Sequence, residues 1–328
     1  MVRAVQFVGP NELRVADVEP SSPGIGEVIV ASRVVGICHS DFELLSGQYI
    51  IPFEYPVTPG HEWSGEVVEV ADGVEGFAPG DRVVGECVVG PGGRDHFGFN
   101  IDGAAAETFV VRGEWLHRIP DELTDTHGAL VEPFSVAYNA LRHVGGLDPS
   151  DHVAVVGGGP IGLLCVMAAS ATNARVTLVE PQSHRRELGL RVGAGRAIDP
   201  TTETFTEEVA EVTGGRGFDA VIEAAGAPLA LAETFRLATH GGRIAFVGID
   251  IGSEPSAALG LIQSKALTVR GLIGSMGVWP QTIRFLASGF IDPSVLVTAE
   301  FGLEDAADAF AAARQTDENI KVHIRVGS

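Results

Sequence analysis

Val153-Ala154-Val155-Val156 runs directly into Gly157-Gly158-Gly159-Pro160-Ile161-Gly162, and this stretch decides how the chain is built. Four small or β-branched apolar residues read as a strand buried on both faces, as in a parallel sheet. Glycines at the first, third and sixth positions then form a G-x-G-x-x-G turn. Gly157 permits the sharp turn, Gly159 lets the backbone approach a pyrophosphate, and Gly162 lets the following helix pack close to the sheet. Pro160 and Ile161 fill the positions between, where the helix N-terminus offers free N–H groups to an anion.

Gly-rich strand-to-helix turns also occur without ligands, so context decides. A second strand, Arg175-Val-Thr-Leu-Val179, ends in Glu180, 18 residues after Gly162. A carboxylate there accepts hydrogen bonds from both ribose hydroxyls of NAD and repels a 2′-phosphate, so the sequence favours NAD over NADP. The bland alternative is a solvated acid at a strand end. Arg185 and Arg186 lie just beyond, and a guanidinium at either position would offset the acid and admit NADP.

Outward from this loop, strands are expected at 152–156, 175–180, 219–223, 243–248 and 267–271, with helical windows between them. That alternation implies a parallel sheet covered on both faces. Up to about residue 118 the texture differs. Short apolar runs at 27–35, 65–70, 82–84 and 108–111, broken by Gly and Pro, predict small strands and turns. A helix to about 288, another at 304–313 and a strand at 321–326 follow Gly277. The nucleotide-binding unit is already complete by about 274, so this tail is expected to return to the first, β-rich domain. The boundaries predicted are 1–141 with 277–328, and 142–276.

The chain has 328 residues, of which 45% are hydrophobic and 20% charged, which excludes a disordered or fibrous protein. Forty-three acids against 22 bases give a formal net charge of −21, and such a field repels a phosphate backbone, excluding a general nucleic-acid binder. Lys265 and Lys321 are its only lysines. No window approaches the ~20 apolar residues of a membrane span, and no signal-peptide pattern opens the chain, so a cytoplasmic protein without a membrane partner is expected. Cys38, Cys87 and Cys165 are odd in number and far apart, which suits a reducing compartment.

Three further stretches carry metal chemistry: Gly36-Ile-Cys-His-Ser-Asp41, Pro59-Gly-His-Glu62 and Val131-Glu-Pro133. A catalytic zinc needs three protein ligands and one open position, and Cys38, His61 and Glu132 supply a thiolate, an imidazole and a carboxylate. Singly, each has a structural alternative: a small core residue, a hydrogen-bonded turn residue, a cap before Pro133. Together with a dinucleotide loop they point to a metal-assisted redox enzyme.

These stretches, with Gly60-His-Glu-Trp-Ser-Gly65, Gly80-Asp-Arg-Val83 and Gly241-Gly-Arg-Ile-Ala-Phe-Val-Gly248, resemble the zinc-dependent medium-chain dehydrogenases over nearly the whole length. The branch resembled holds sorbitol, threonine and aminocyclitol dehydrogenases. The resemblance implies an α/β chain with a β-rich GroES-like catalytic domain and a doubly wound, parallel-sheet Rossmann domain. It implies hydride transfer between a secondary alcohol or its ketone and the nicotinamide, in a homodimer or homotetramer. It also implies Asp41 as the carboxylate orienting His61, Ser40 as the hydroxyl touching the substrate oxygen, and Val247, Leu272 and Gly274 beside the nicotinamide. Relatives complete the zinc site with either acid, so Glu62 or Glu132 is the third ligand, with Glu132 expected at rest. Two departures stand out. Members with a structural zinc carry four cysteines after the Gly-Asp-Arg-Val stretch, where this chain has Cys87 alone, so one catalytic zinc and no structural zinc is expected. Many relatives place a proton-passing His three residues after Ser40, where this chain has Glu43. Pocket walls are expected from Phe42, Phe53, Tyr55, Trp63 and Glu86. The competing readings are a zinc-free quinone or enone reductase on the same fold and a dinucleotide-binding protein without turnover.

Overall fold

The computed structural model describes residues 1–249 and 252–327. The chain divides into two compact units, Met1–Glu132 with Ser275–Ser328, and Pro133–Gly274. The sequence places these joins at 141/142 and 276/277; the first expected join and the one at 132/133 both fall inside the helix Val131–His143.

The second unit is a six-stranded sheet in the order Arg196–Ile198, Arg175–Val179, His152–Val156, Phe218–Glu223, Ala238–Phe246, Thr268–Gly271. Every neighbouring pair is parallel. By order of appearance this is 3-2-1-4-5-6, the doubly wound arrangement, whose order reverses between the first and fourth strands. The first strand is buried from Val153 to Val156, because helices cover both faces. The helix Pro160–Ser170 is buried from Gly162 to Ala169, so it carries apolar residues all round instead of on one stripe. Each such leucine contributes about 1.5–3 kcal/mol by leaving water. The three-residue strand Arg196–Ile198 escaped the sequence reading, being too short to show a period.

The first unit is built on a seven-stranded mixed sheet in the order Val297–Gly302, Lys321–Arg325, Glu27–Gly36, Glu62–Val70, Arg82–Gly85, Leu116–Arg118, with Thr108–Arg112 also paired to Glu27–Gly36. Glu27–Gly36 is its longest strand, and its alternation puts Val28, Val30 and Val34 into the core. The C-terminal strand Lys321–Arg325 joins it antiparallel, pairing His323 with Gly36, so the tail does return to the first unit. A hairpin of Val2–Gly9 and Glu12–Val18, unmarked by any predicted run, closes over the core through Phe7, which meets Phe310 edge-on. Among the described residues, no helix is long and apolar enough to cross a membrane.

Candidate metal centre and dinucleotide loop

Cys38 sits at the end of the long strand, in extended geometry, as the N-cap of the helix His39–Ser46. Its N–H donates to Asp41 Oδ2 at 2.8 Å, which fixes the first turn and turns the other carboxylate oxygen inward. Asp41 Oδ1 lies 3.4 Å from His61 Nδ1, with both side chains buried. Burial works to lower the His61 pKa, but the charge and hydrogen bond of Asp41, with Cys38 on the same ring, raise it well above the usual value. Glu62 opens the next strand, Glu62–Val70, and is 1% exposed.

The ligand atoms of Cys38, His61 and Glu62 all lie within 4.8 Å of one another, the only such group of metal-binding side chains among the described residues. Glu132 stands outside that group. It opens the helix Val131–His143, is 9% exposed, and has its pKa raised to about 7, by burial above all and by the neighbouring Glu62, against the pull of His61. Glu132, expected as the resting third ligand, lies outside the 4.8 Å group, whereas Glu62, next to His61 at the strand start, lies within it.

Sulfur, nitrogen and oxygen donors in one group suit zinc. The charges suit it too. Asp41, Glu62 and Glu132 are three buried carboxylates, faced by the buried ammonium of Lys321, which contacts Glu62 and donates to the Ile37 carbonyl at 3.0 Å. Buried charge is costly unless compensated: without a metal, protons held by His61 and Glu132 offset these acids together with Lys321, and a divalent cation would take the place of those protons. The residues present fit a divalent metal.

Ser40 and Glu43 lie three residues apart on the helix His39–Ser46, a spacing that puts both on one face, and both are half-buried. Cys87 is buried outside the donor group, its Sγ 3.8 Å from the Phe97 carbonyl, and burial pushes its thiol pKa up. The expected pocket walls are mostly occupied elsewhere. Trp63 is core, Phe42 packs edge-on against Phe310, Tyr55 donates to the Leu44 carbonyl, and Glu86 pairs with His117 at 2.9 Å. The aromatic wall on the donor group is one the sequence did not reveal: Phe99 lies 4.5 Å from His61, centroid to centroid, and Tyr49 stacks on Phe99 at 4.3 Å. Lys321 was equally hidden as a site residue, although the scarcity of lysine was a signal that it had a particular use.

In the second unit Gly157 takes φ +101°, and a Cβ there would meet the Ala225 backbone at 2.8 Å. A Cβ on Gly162 would lie 1.9 Å from the Gly157 carbonyl oxygen, so only glycine lets the helix Pro160–Ser170 start this close to the strand. Glu180 is buried and accepts from the Gly158 N–H at 2.6 Å and the Gln182 N–H at 2.8 Å. Arg186 Nη1 is held by the Glu180 carbonyl at 2.8 Å, the Pro181 carbonyl at 2.6 Å and Asp199 at 3.0 Å, whereas Arg185 lies against the loop, its Nη1 3.8 Å from where a Cβ on Gly159 would stand. Val247 is buried, and the Gly274 carbonyl accepts from Asn139 Nδ2 at 3.1 Å. A groove of ≈ 590 Å³, lined in part by Gly248, Ile249 and Leu272, opens at this end of the sheet.

Comparison with known proteins places this geometry. Residues 24–121 match the alcohol dehydrogenase GroES-like domain and residues 160–288 the zinc-binding dehydrogenase domain, and the chain belongs to the zinc-dependent medium-chain alcohol dehydrogenase family. It is 34% identical to (R,R)-butanediol dehydrogenase of Bacillus subtilis (strain 168), over 99% of each chain. Among solved structures it is similar to an alcohol dehydrogenase from E. coli CFT073 complexed with NADH (28% identity, TM-score 0.92, 99% of each chain). It is also similar to a zinc-binding dehydrogenase from Sinorhizobium meliloti 1021 bound to NADP (28% identity, TM-score 0.88, 99% of each chain).

Proposed function

We propose that this chain is a zinc-dependent dehydrogenase that moves a hydride between a secondary alcohol of polyol, sugar or cyclitol type and NAD, with one metal ion per chain. The observation that carries the reading is the convergence of Cys38, His61 and Glu62, backed by Asp41 at 3.4 Å from His61. Cys38, His61 and Glu62 would hold the metal, with Glu132 as the acid available for exchange. When bound, zinc supplies the Lewis acidity that favours loss of the alcohol proton, and the nicotinamide takes the hydride.

The remaining work falls to the side chains. Asp41 fixes the orientation of the His61 ring, as carboxylates behind metal-binding histidines do. Ser40 accepts the proton of the substrate hydroxyl and passes it along its helix face to Glu43. NAD is favoured over NADP because Glu180 sets a carboxylate at the mouth of the phosphate loop and one of the two nearby arginines, Arg186, is engaged by Asp199. A homodimer or homotetramer is supported by the strand Thr268–Gly271, which ends the parallel sheet and, among the described residues, has a strand on one side only.

The test is turnover of the purified protein with NAD and with NADP across vicinal diols, polyols, sugars and cyclitols, with zinc removed and restored. NAD-dependent oxidation that disappears with the metal and returns with it is expected. Full activity in metal-free protein would overturn the reading in favour of a zinc-free reductase.

A further inference from the structure

Glu223 ends the fourth strand of the parallel sheet and is completely buried, although it is an acid. Its Oε1 accepts from the N–H groups of Ala225 at 2.9 Å and Gly226 at 3.0 Å, and its main-chain oxygen accepts from Val247 at 2.8 Å and Gly248 at 3.0 Å. One residue thus holds the turns that follow both the fourth and the fifth strands. A third loop leans on the same turn, since a Cβ on Gly157 would strike Ala225, and the Ala224 N–H donates to the Val156 carbonyl at 2.8 Å. The second carboxylate oxygen, Oε2, has no hydrogen-bond partner among the described residues and points at Gly248, where a Cβ would come within 2.6 Å of it and 2.2 Å of the Gly226 nitrogen.

The position of this hub gives it a meaning. Strand order reverses between His152–Val156 and Phe218–Glu223, and in open α/β sheets the ligand lies across the carboxyl ends at that reversal. The Gly158–Glu180 contact belongs to the side of the second strand, which receives the adenosine half. The turns held by Glu223 lie on the opposite side of the reversal, where Gly248 and Ile249 line the groove. Resting on the dehydrogenase reading above, we propose that Glu223 is a positioning residue for the nicotinamide half of the dinucleotide. By holding the 225–226 turn with its carboxylate and 247–248 with its main-chain oxygen, it fixes the wall against which that half is placed, without touching the adenosine half. An acceptor is needed there because, among the described residues, the Ala225 and Gly226 N–H groups donate only to this carboxylate.

Equilibrium binding tests this without turnover. NADH, followed by its fluorescence, and AMP, which carries the adenosine half alone, are titrated into the full-length parental protein and into Glu223→Ala. We expect the Kd for NADH to rise about tenfold, as when buried donors lose their acceptor, and the Kd for AMP to stay within twofold. Glu223→Gln, which keeps Oε1 as an acceptor, should restore NADH binding. Equal weakening of both ligands, or of neither, overturns the proposal, as does a Gln variant no better than Ala. Should Glu223→Ala not fold, Glu223→Asp, which keeps the charge but withdraws the carboxylate from the Ala225 and Gly226 N–H groups, carries the same expectation. Failure of the parental protein to bind NADH would instead overturn the dehydrogenase reading, so the two failures are distinct.

Discussion

Lys321 and Glu62 meet inside the first unit with the lysine 3% and the glutamate 1% exposed, so the ammonium faces the carboxylate that the metal site also claims. Removing one member of a buried ion pair leaves the other uncompensated. Lys321→Met should therefore destabilise the metal-free protein by about 3–5 kcal/mol. The zinc-loaded protein should lose less, because the metal supplies the charge that Glu62 then lacks. Denaturant unfolding of both forms checks this; equal losses would show that Lys321 acts only by packing.

Elemental analysis should find one zinc per chain. Cys38→Ser and His61→Ala should each lose it, as befits ligands of a site that has no other soft donor in the group. Two zinc ions per chain would contradict the absence of a second cysteine cluster.

Glu180→Ala should raise kcat/KM with NADP relative to NAD, since the carboxylate that repels a 2′-phosphate is gone while Arg185 remains against the loop. Steady-state kinetics with both cofactors reads this ratio. A parental preference for NADP would mean that Arg185 already outweighs the acid.

Ser40→Ala should lower kcat by about 10²–10⁴-fold, the usual contribution of a positioned acid–base group, and leave the Kd for NADH unchanged. Glu43→Gln should have a smaller effect that grows as pH falls and hydroxide no longer substitutes for the acceptor. A parental pH–rate profile in Ser40→Ala would return both residues to packing roles.

His323 is fully buried, and neither ring nitrogen has a hydrogen-bond partner among the described residues. Burial first, and then the charges of Lys321 and Arg325, push its pKa down to about 3. The unfolded chain binds this proton near pH 6.5 and the folded chain does not, so the neutral ring's stability is complete above pH 6.5 and is lost as pH falls toward 3. Between pH 7 and pH 5 the loss is about 2 kcal/mol. His323→Leu should flatten the stability profile by that amount, as urea unfolding at each pH will show.

Short-range signals were the legible ones. The run from Val153 to Gly162 fixes strand, turn and helix together because apolar patterning and glycine chemistry agree within ten positions, and the six-stranded sheet follows from its repetition. Cys38, His61 and Glu62 were readable because each lies in a short motif. Lys321, Phe99 and Tyr49 were not, because they reach the donor group through the order of strands and the course of a loop, which no local pattern encodes. Glu223 looks in sequence like any acid at a strand end, and only the turns folded around it reveal its hydrogen bonds.

The strand order of the first unit also sets a timetable. Lys321–Arg325 pairs with Glu27–Gly36, yet the whole parallel-sheet unit lies between them in sequence. A ribosome adding 5–20 residues per second exposes the thiol, imidazole and carboxylates many seconds before the lysine that faces them. During that interval Val34–Gly36 lack this partner strand, although Thr108–Arg112 can already pair with Glu27–Ala31, and the acids lack their lysine, while residues 133–274 form a compact unit with a sheet of their own. The inserted unit is thus placed to fold first, and the donor group gains its facing ammonium last, when the final strand closes the sheet that translation began.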